Sequence, residues 1–196
     1  MVAKYKLREE FRVLRGTILP AYRKQAASKA AAILTNTSFF IQGQHIACYY
    51  PFKDEFDSFP IIEAIWQAKK ECYLPIILDD EKSLRFIKYN AGDSLQLNRY
   101  TILEPQNRDD EITLEALDLI ITPLLAFDRN GHRLGTGGGY YDRTFSRLQH
   151  NKNRTSHMIG LAYAVQEVRI LPTEKWDIRL DGIVTEQCFI NVNVDS

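Results

Sequence analysis

The chain has 196 residues, 45% of them hydrophobic and 26% charged, which fits a globular protein with a sizeable core. Its 25 lysines and arginines balance 25 aspartates and glutamates, so no overall positive field favours nucleic acid or an anionic membrane, and anion binding must be local. The basic start of the chain is unlike a secretory signal, and the apolar runs are too short to span a bilayer, so cytoplasmic residence is expected.

Leu7, Phe11, Leu14 and Ile18 recur at three- and four-residue spacing and predict an amphipathic helix that weakens at Gly16. Lys4 and Arg8 lie one turn apart on one face, a spacing that suits a solvated basic face as well as an anion site. Pro20 fits the first turn of a second, alanine-rich helix running to about Asn36. A strand over 45–50 ends at Pro51. Asp57 or Ser58 then caps a helix through Lys70, with Ile61, Ile62, Ile65 and Trp66 inward. Strands over 72–78 and 84–89 flank a polar turn at Asp79, Asp80 and Glu81. The almost purely apolar run 117–122 reads as a strand buried on both faces. Asn130-Gly131 signals a tight turn in a hairpin over 127–134. A helix over 140–148 follows, and 157–163 and 182–192 supply late strands.

This alternation predicts an α/β fold, three-layer α/β/α with a mostly parallel central sheet and an N-terminal helical segment, as a single domain over 1–196. In such sheets ligands gather at the carboxyl ends of strands, where the stretch from Tyr50 to Glu55 and the loop after Thr122 emerge. Cys48, Cys72 and Cys188 lie far apart in apolar, strand-like surroundings and are expected as buried, reduced thiols. His45, His132, His150 and His157 lack metal-ligand spacing and receive no role.

The densest chemical signal is Arg133-Leu134-Gly135-Thr136-Gly137-Gly138-Gly139-Tyr140-Tyr141-Asp142-Arg143. Four glycines in five positions allow a backbone that turns either way and bares its N–H groups, and a concave row of such groups binds phosphate. The following helix would aim its positive end at the same anion. No Lys-Ser or Lys-Thr follows, so this is not a P-loop, and the dinucleotide fingerprint lacks its third glycine. The residues by themselves support either a phosphate-binding loop or an ordinary glycine turn. Gly138 is expected at positive φ. Asp142 suits both a metal ligand and a helix-start carboxylate, and Asp181, just before Gly182, reads as a turn residue.

With its flank Leu125-Ala126-Phe127-Asp128-Arg129-Asn130-Gly131-His132, this run closely resembles the signature of the 5-formyltetrahydrofolate cyclo-ligase (methenyltetrahydrofolate synthetase) family. Lys4 and Arg8, the segment Tyr50-Pro51-Phe52-Lys53-Asp54-Glu55-Phe56-Asp57, Glu104-Pro105, Asp118-Leu119-Ile120-Ile121-Thr122-Pro123 and Asp181-Gly182-Ile183-Val184-Thr185-Glu186 follow in the family's order. The resemblance implies an ATP-dependent ligase that converts 5-formyltetrahydrofolate to 5,10-methenyltetrahydrofolate, a monomer acting on small molecules with ATP as co-substrate and magnesium as cofactor. It implies that Lys4 and Arg8 neutralise ATP phosphates while Arg133, Leu134, Gly135, Thr136, Gly137, Gly138, Gly139, Tyr140 and Tyr141 wrap the nucleotide. Arg133 and Asp142 become the catalytic pair, with Asp142 and Asp181 as magnesium ligands. Tyr50, Glu55, Tyr100 and the residues Gly137 to Tyr140 would contact the folate. Many relatives carry lysine where this chain has Gly138, so one phosphate-facing cation is absent. Two other readings share the scaffold: a binder without turnover, and an isomerase or CoA-transferase type of α/β protein that would consume no ATP.

Overall fold

The computed structural model describes residues 2–78, 83–149 and 155–192. Helix α1 (Val2–Gly16) carries the expected stripe: Phe11 is buried, and Leu7 and Leu14 pack with it against Leu125, Ala126, Leu134 and Leu171. Helix α2 (Pro20–Thr35) opens on its proline and buries Ala26, Ala27, Ala30, Ala31 and Leu34, small side chains that permit close approach to the layer beneath. A short α3 (Ser38–Gln42), which the sequence reading did not anticipate, is capped by Thr37, whose hydroxyl accepts the Phe40 N–H at 3.3 Å.

Strand β1 (His45–Ala47) is shorter than predicted. Beyond it the chain turns away, held by the Tyr49 hydroxyl donating to the Phe56 carbonyl and the Ser58 hydroxyl donating to the Tyr49 carbonyl. Helix α4 (Phe59–Gln67) has Ile61, Ile62 and Ile65 fully buried, and Asp57, not Ser58, accepts its first N–H, from Phe59 at 3.0 Å. Next come β2 (Glu71–Ile77), β3 (Leu84–Lys88), an unpredicted hairpin of β4 (Leu95–Leu97) and β5 (Leu103–Pro105), and a short β6 (Glu111–Ile112). The polar turn expected at Asp79, Asp80 and Glu81 falls outside the described residues, as does His150.

Strand β7 (Leu119–Pro123) is buried along its first four residues, as its apolar run required. The hairpin of β8 (Ala126–Phe127) and β9 (Arg133–Leu134) has a wider loop than a two-residue turn. Gly131 stands at φ +82°, and buried Asp128 accepts the N–H groups of Asn130, His132 and Leu171. Then follow α5 (Tyr140–Gln149), β10 (His157–Leu161), β11 (Gly182–Val184) and β12 (Phe189–Asn191). The predicted strand over 182–192 is therefore a hairpin. Its turn rests on the Thr185 hydroxyl, which accepts the N–H groups of Gln187 and Cys188. That turn leaves Cys188 exposed, correcting the expectation of three buried thiols; Cys48 and Cys72 are buried.

The sheet runs β12-β11-β10-β7-β1-β2-β3-β6, with β11, β10, β7, β1 and β2 parallel and antiparallel strands at both edges. One face packs on α2, α3 and α4, and the other buries Phe86 and Met158 against Phe145 of α5, the predicted three layers. Pro75 lies in β2 just past Tyr73, the last residue that β1 pairs, so its missing N–H breaks no ladder bond there. Where β1 stops, the sheet opens at its carboxyl end. Among the described residues no helix is long and apolar enough to cross a membrane.

Candidate active site

A cavity of about 730 Å³ occupies that opening, within the range of small-molecule sites. Helix α1 contributes Lys4 and Arg8, the β1 loop Tyr49, Tyr50 and Glu55, and every residue from Arg133 to Arg143 lines its wall.

The glycine loop is held from outside by its carbonyls. Arg8 Nε donates to the Gly135 carbonyl at 2.9 Å, and Arg12 Nη2 to that of Thr136 at 3.0 Å. From the other side Arg143 Nη2 donates to the Gly138 carbonyl at 2.6 Å. With the carbonyls engaged, the N–H groups of Thr136, Gly137, Gly138 and Gly139 have no hydrogen-bond partner among the described residues. A row of unpaired amides at the start of a ten-residue helix is an anion cradle. The positive φ angles fall at Gly137 (+109°) and Gly139 (+68°), not at Gly138, so the expectation for Gly138 is corrected. A Cβ there would instead meet the Tyr140 ring at 3.0 Å.

Arg133 is buried at the base of the loop. Its Nη2 donates to Asp142 Oδ1 at 2.7 Å and its guanidinium lies 5.6 Å from the Tyr141 ring centre, while its buried Nε has no partner. A buried charged donor without a partner is costly, so the rest of the guanidinium's contacts, to Asp142 and the Tyr141 ring, must hold it in place. Asp142 Oδ1 also accepts the Ile178 N–H at 3.3 Å, leaving Oδ2 uncommitted. That contact brings in Asp177, whose Oδ2 accepts the Glu174 N–H at 2.7 Å and pairs with Lys4.

Asp181 is not part of this wall, which corrects its expected pairing with Asp142. Its Oδ2 accepts the Met158 N–H at 2.7 Å, at the amino-terminal end of β10, whereas Pro123 lines the cavity opposite Leu161 at the carboxyl end. Asp177, four positions earlier, lines the cavity, as does Glu174, and the sequence reading missed both. The signal for Asp177 was the same residue type in the same segment, with no helical periodicity to say which one points inward.

On the far wall, Tyr50 is half-buried and meets Phe59 edge-on, with ring centres 6.1 Å apart. Glu55 sits deep beside it, its Oε2 accepting the Phe52 N–H at 3.3 Å. Burial pushes its carboxyl up to about 7, against the pull of Arg15. Burial likewise raises the Tyr49 and Tyr141 hydroxyls, and the Glu55 charge adds to both. Arg15, also missed, is a buried clamp: its Nε pairs with Asp54 at 3.0 Å and its Nη1 donates to the Leu124 carbonyl at 3.3 Å, fixing the Glu55 loop to the end of β7. Tyr100 does not line the cavity as expected. It is exposed on the β4–β5 loop, with its hydroxyl 2.7 Å from that of Tyr140. Its hairpin turns the ring outward to the rim, a direction no local pattern encodes.

Comparison with known proteins agrees with this geometry. A family model described as the 5-formyltetrahydrofolate cyclo-ligase family matches residues 1–186. The chain is 36% identical over 183 residues to the 5-formyltetrahydrofolate cyclo-ligase of Haemophilus influenzae, covering 92% of this chain and 96% of that one. It is 37% identical over 173 residues to the Escherichia coli protein of the same name, covering 87% and 93%. The NMR structure of Aquifex aeolicus 5,10-methenyltetrahydrofolate synthetase superposes with a TM-score of 0.83 at 28% identity, over 98% of this chain and 94% of that one.

Proposed function

The chain belongs to the 5-formyltetrahydrofolate cyclo-ligase family, and from that premise we propose that this cavity carries out the family's reaction, the ATP-dependent conversion of 5-formyltetrahydrofolate to 5,10-methenyltetrahydrofolate. The formyl oxygen is a poor leaving group on an amide-like carbon. It attacks the γ-phosphate, ADP departs, and the neighbouring folate nitrogen closes the five-membered ring; that nitrogen loses its proton and phosphate leaves with the former formyl oxygen. Such a transfer asks the protein for alignment and charge neutralisation rather than for a nucleophile.

The observation that carries the reading is the unpaired N–H row from Thr136 to Gly139 opening into the same cavity as Glu55. In this reading the loop amides, Lys4, Arg8 and Arg133 hold the phosphates, and Leu134, Tyr140 and Tyr141 close around the nucleotide. Tyr50 packs on the folate ring, Glu55 accepts its N–H groups, and Gly137 to Tyr140 border both substrates. Asp142 and Asp177 offer uncommitted hard oxygens, which suits magnesium, an ion that takes one or two protein carboxylates and completes its shell with phosphate and water. When bound, magnesium would neutralise phosphate charge and align the transferring group. The reading extends to a cytoplasmic monomer of one domain, the single domain being supported by a family match over residues 1–186.

Turnover of 5-formyltetrahydrofolate with and without magnesium and ATP, followed by the absorbance of the conjugated product, tests the assignment. Product should form only with both present. A protein that binds the folate yet makes no product at any ATP concentration would be a binder instead.

A further inference from the structure

The chain has two tryptophans, and they are placed oppositely. Trp66 is packed between Phe59 and Tyr89, and its indole N–H donates to the Tyr89 carbonyl at 2.9 Å. Trp176 is 66% exposed and, among the described residues, has neither a ring contact nor a hydrogen bond of its side chain. A large apolar ring left in water gives up the burial that normally stabilises such a residue. Two further features mark this exposure as a placement. Trp176 lines the same cavity as Lys4, Arg8 and Asp177, and it directly precedes Asp177, the partner of Lys4. Its backbone is also pinned in a tight turn: the Asp177 N–H donates to the Glu174 carbonyl at 3.0 Å, and Asp177 Oδ2 accepts the Glu174 N–H at 2.7 Å. The turn therefore fixes the backbone from which the indole lines the cavity, next to the Lys4–Asp177 pair.

We propose that the indole face of Trp176 is the stacking platform for the nucleobase of the ATP co-substrate. The proposal rests on the reading of this cavity as the ATP site and adds to it which residue receives the base. Every base has a π face, so such a platform holds a nucleotide without hydrogen-bond readout, and a preformed turn lowers the ordering cost of binding. The chemistry is that of a planar purine linked to phosphates, because the aromatic face and the anion cradle open into one cavity.

The experiment uses the full chain and three probes: ADP, inorganic triphosphate and 5-formyltetrahydrofolate. Trp176→Ala should weaken ADP about tenfold, within the range seen when a stacking aromatic is truncated, while Trp176→Phe keeps most of the affinity. Inorganic triphosphate and the folate should bind wild type and Trp176→Ala alike. ADP should quench the tryptophan fluorescence of the wild type but not of Trp176→Phe, whose remaining indole is Trp66. Wild-type ADP affinity in Trp176→Ala, or equal losses for ADP and triphosphate, would overturn the proposal, the latter making Trp176 a prop for the 174–177 turn. If the wild type bound neither ADP nor triphosphate, the ATP reading itself would fall; an intact ADP site indifferent to Trp176 sinks the stacking proposal alone.

Discussion

The two walls of the cavity are built on opposite electrostatic principles. The wall around Arg133 is crowded with charge, but its charges are largely engaged with one another: Arg133 with Asp142, Lys4 with Asp177, and Arg8 with a loop carbonyl. What it leaves unpaired is directional, namely the four loop amides. The wall around Glu55 is aromatic, and burial raises the carboxyl of Glu55 to about 7. The first arrangement suits a ligand whose charge is permanent and large. The second suits a flat, weakly polar ring, whose recognition depends on the protonation of one group. A reaction that transfers the γ-phosphoryl group of ATP to a folate oxygen needs both environments within one cavity.

The largest test of this contrast is Arg133→Ala. It removes the buried guanidinium and leaves Asp142 without its partner, so ATP binding should weaken by about 10- to 150-fold, the value of a charge-assisted contact. Folate affinity measured without nucleotide should stay close to wild type. Equal losses for both substrates would break the division into two walls, and an unchanged ATP Michaelis constant would reduce Arg133 to structure.

Asp142→Asn keeps size and removes the charge. On the order of tenfold more magnesium should be needed for half-maximal turnover, with folate binding unmoved. A magnesium titration that overlays wild type would leave Asp142 as a partner of Arg133 only.

The glycine loop can be probed by comparing two substitutions. Gly137→Ala forces a Cβ onto a residue at φ +109°, a conformation that costs an L-residue about 1–2 kcal/mol, and should impair turnover more than Gly138→Ala. At Gly138 a methyl only crowds the Tyr140 ring. The reverse order would mean that contact with Tyr140, rather than loop conformation, governs the cradle.

The smallest effect concerns Glu55 and pH. Its folded carboxyl titrates at about 7, above its ordinary value near 4.5, so the folded state holds a proton that the unfolded chain has released. Its contribution to stability is thus fully present below about pH 4.5 and is lost as pH rises toward 7. If the ionised form accepts the N–H groups of the folate ring, folate affinity should rise over the same interval. Calorimetric folate titrations at pH 6 and pH 8 should show this slope, and Glu55→Gln should flatten it. A slope surviving in the Gln variant would assign the titration to another group.

Much of the molecule was legible beforehand because the signals were local. Phe11 and Leu14 marked the inner stripe of α1, Pro20 the start of α2, and the run ending in Thr122 a strand buried on both faces. The family signature around Gly137 pointed to a loop that lines the cavity. The misses share a different cause. The β4–β5 hairpin and the short α3 are held by contacts with the rest of the fold more than by their own patterns. Cys188 looked buried because its neighbours are apolar, yet the Thr185 turn lifts it out.

Residue order alone determined that this chain forms alternating strands and helices, that a glycine-rich loop precedes a helix, and that cations stand at both ends of that loop. These properties follow from backbone conformation and side-chain periodicity, which act over a few residues. Only the tertiary structure decided that Asp177 and not Asp181 lines the cavity with Asp142, that Arg15 clamps the Glu55 loop, and that burial raises the Glu55 carboxyl to about 7. Proton affinity and ligand geometry depend on how much water and charge surround a group. That environment is assembled from strand ends and loops up to more than a hundred residues apart in the chain, as in the contact of Arg8 with Gly135.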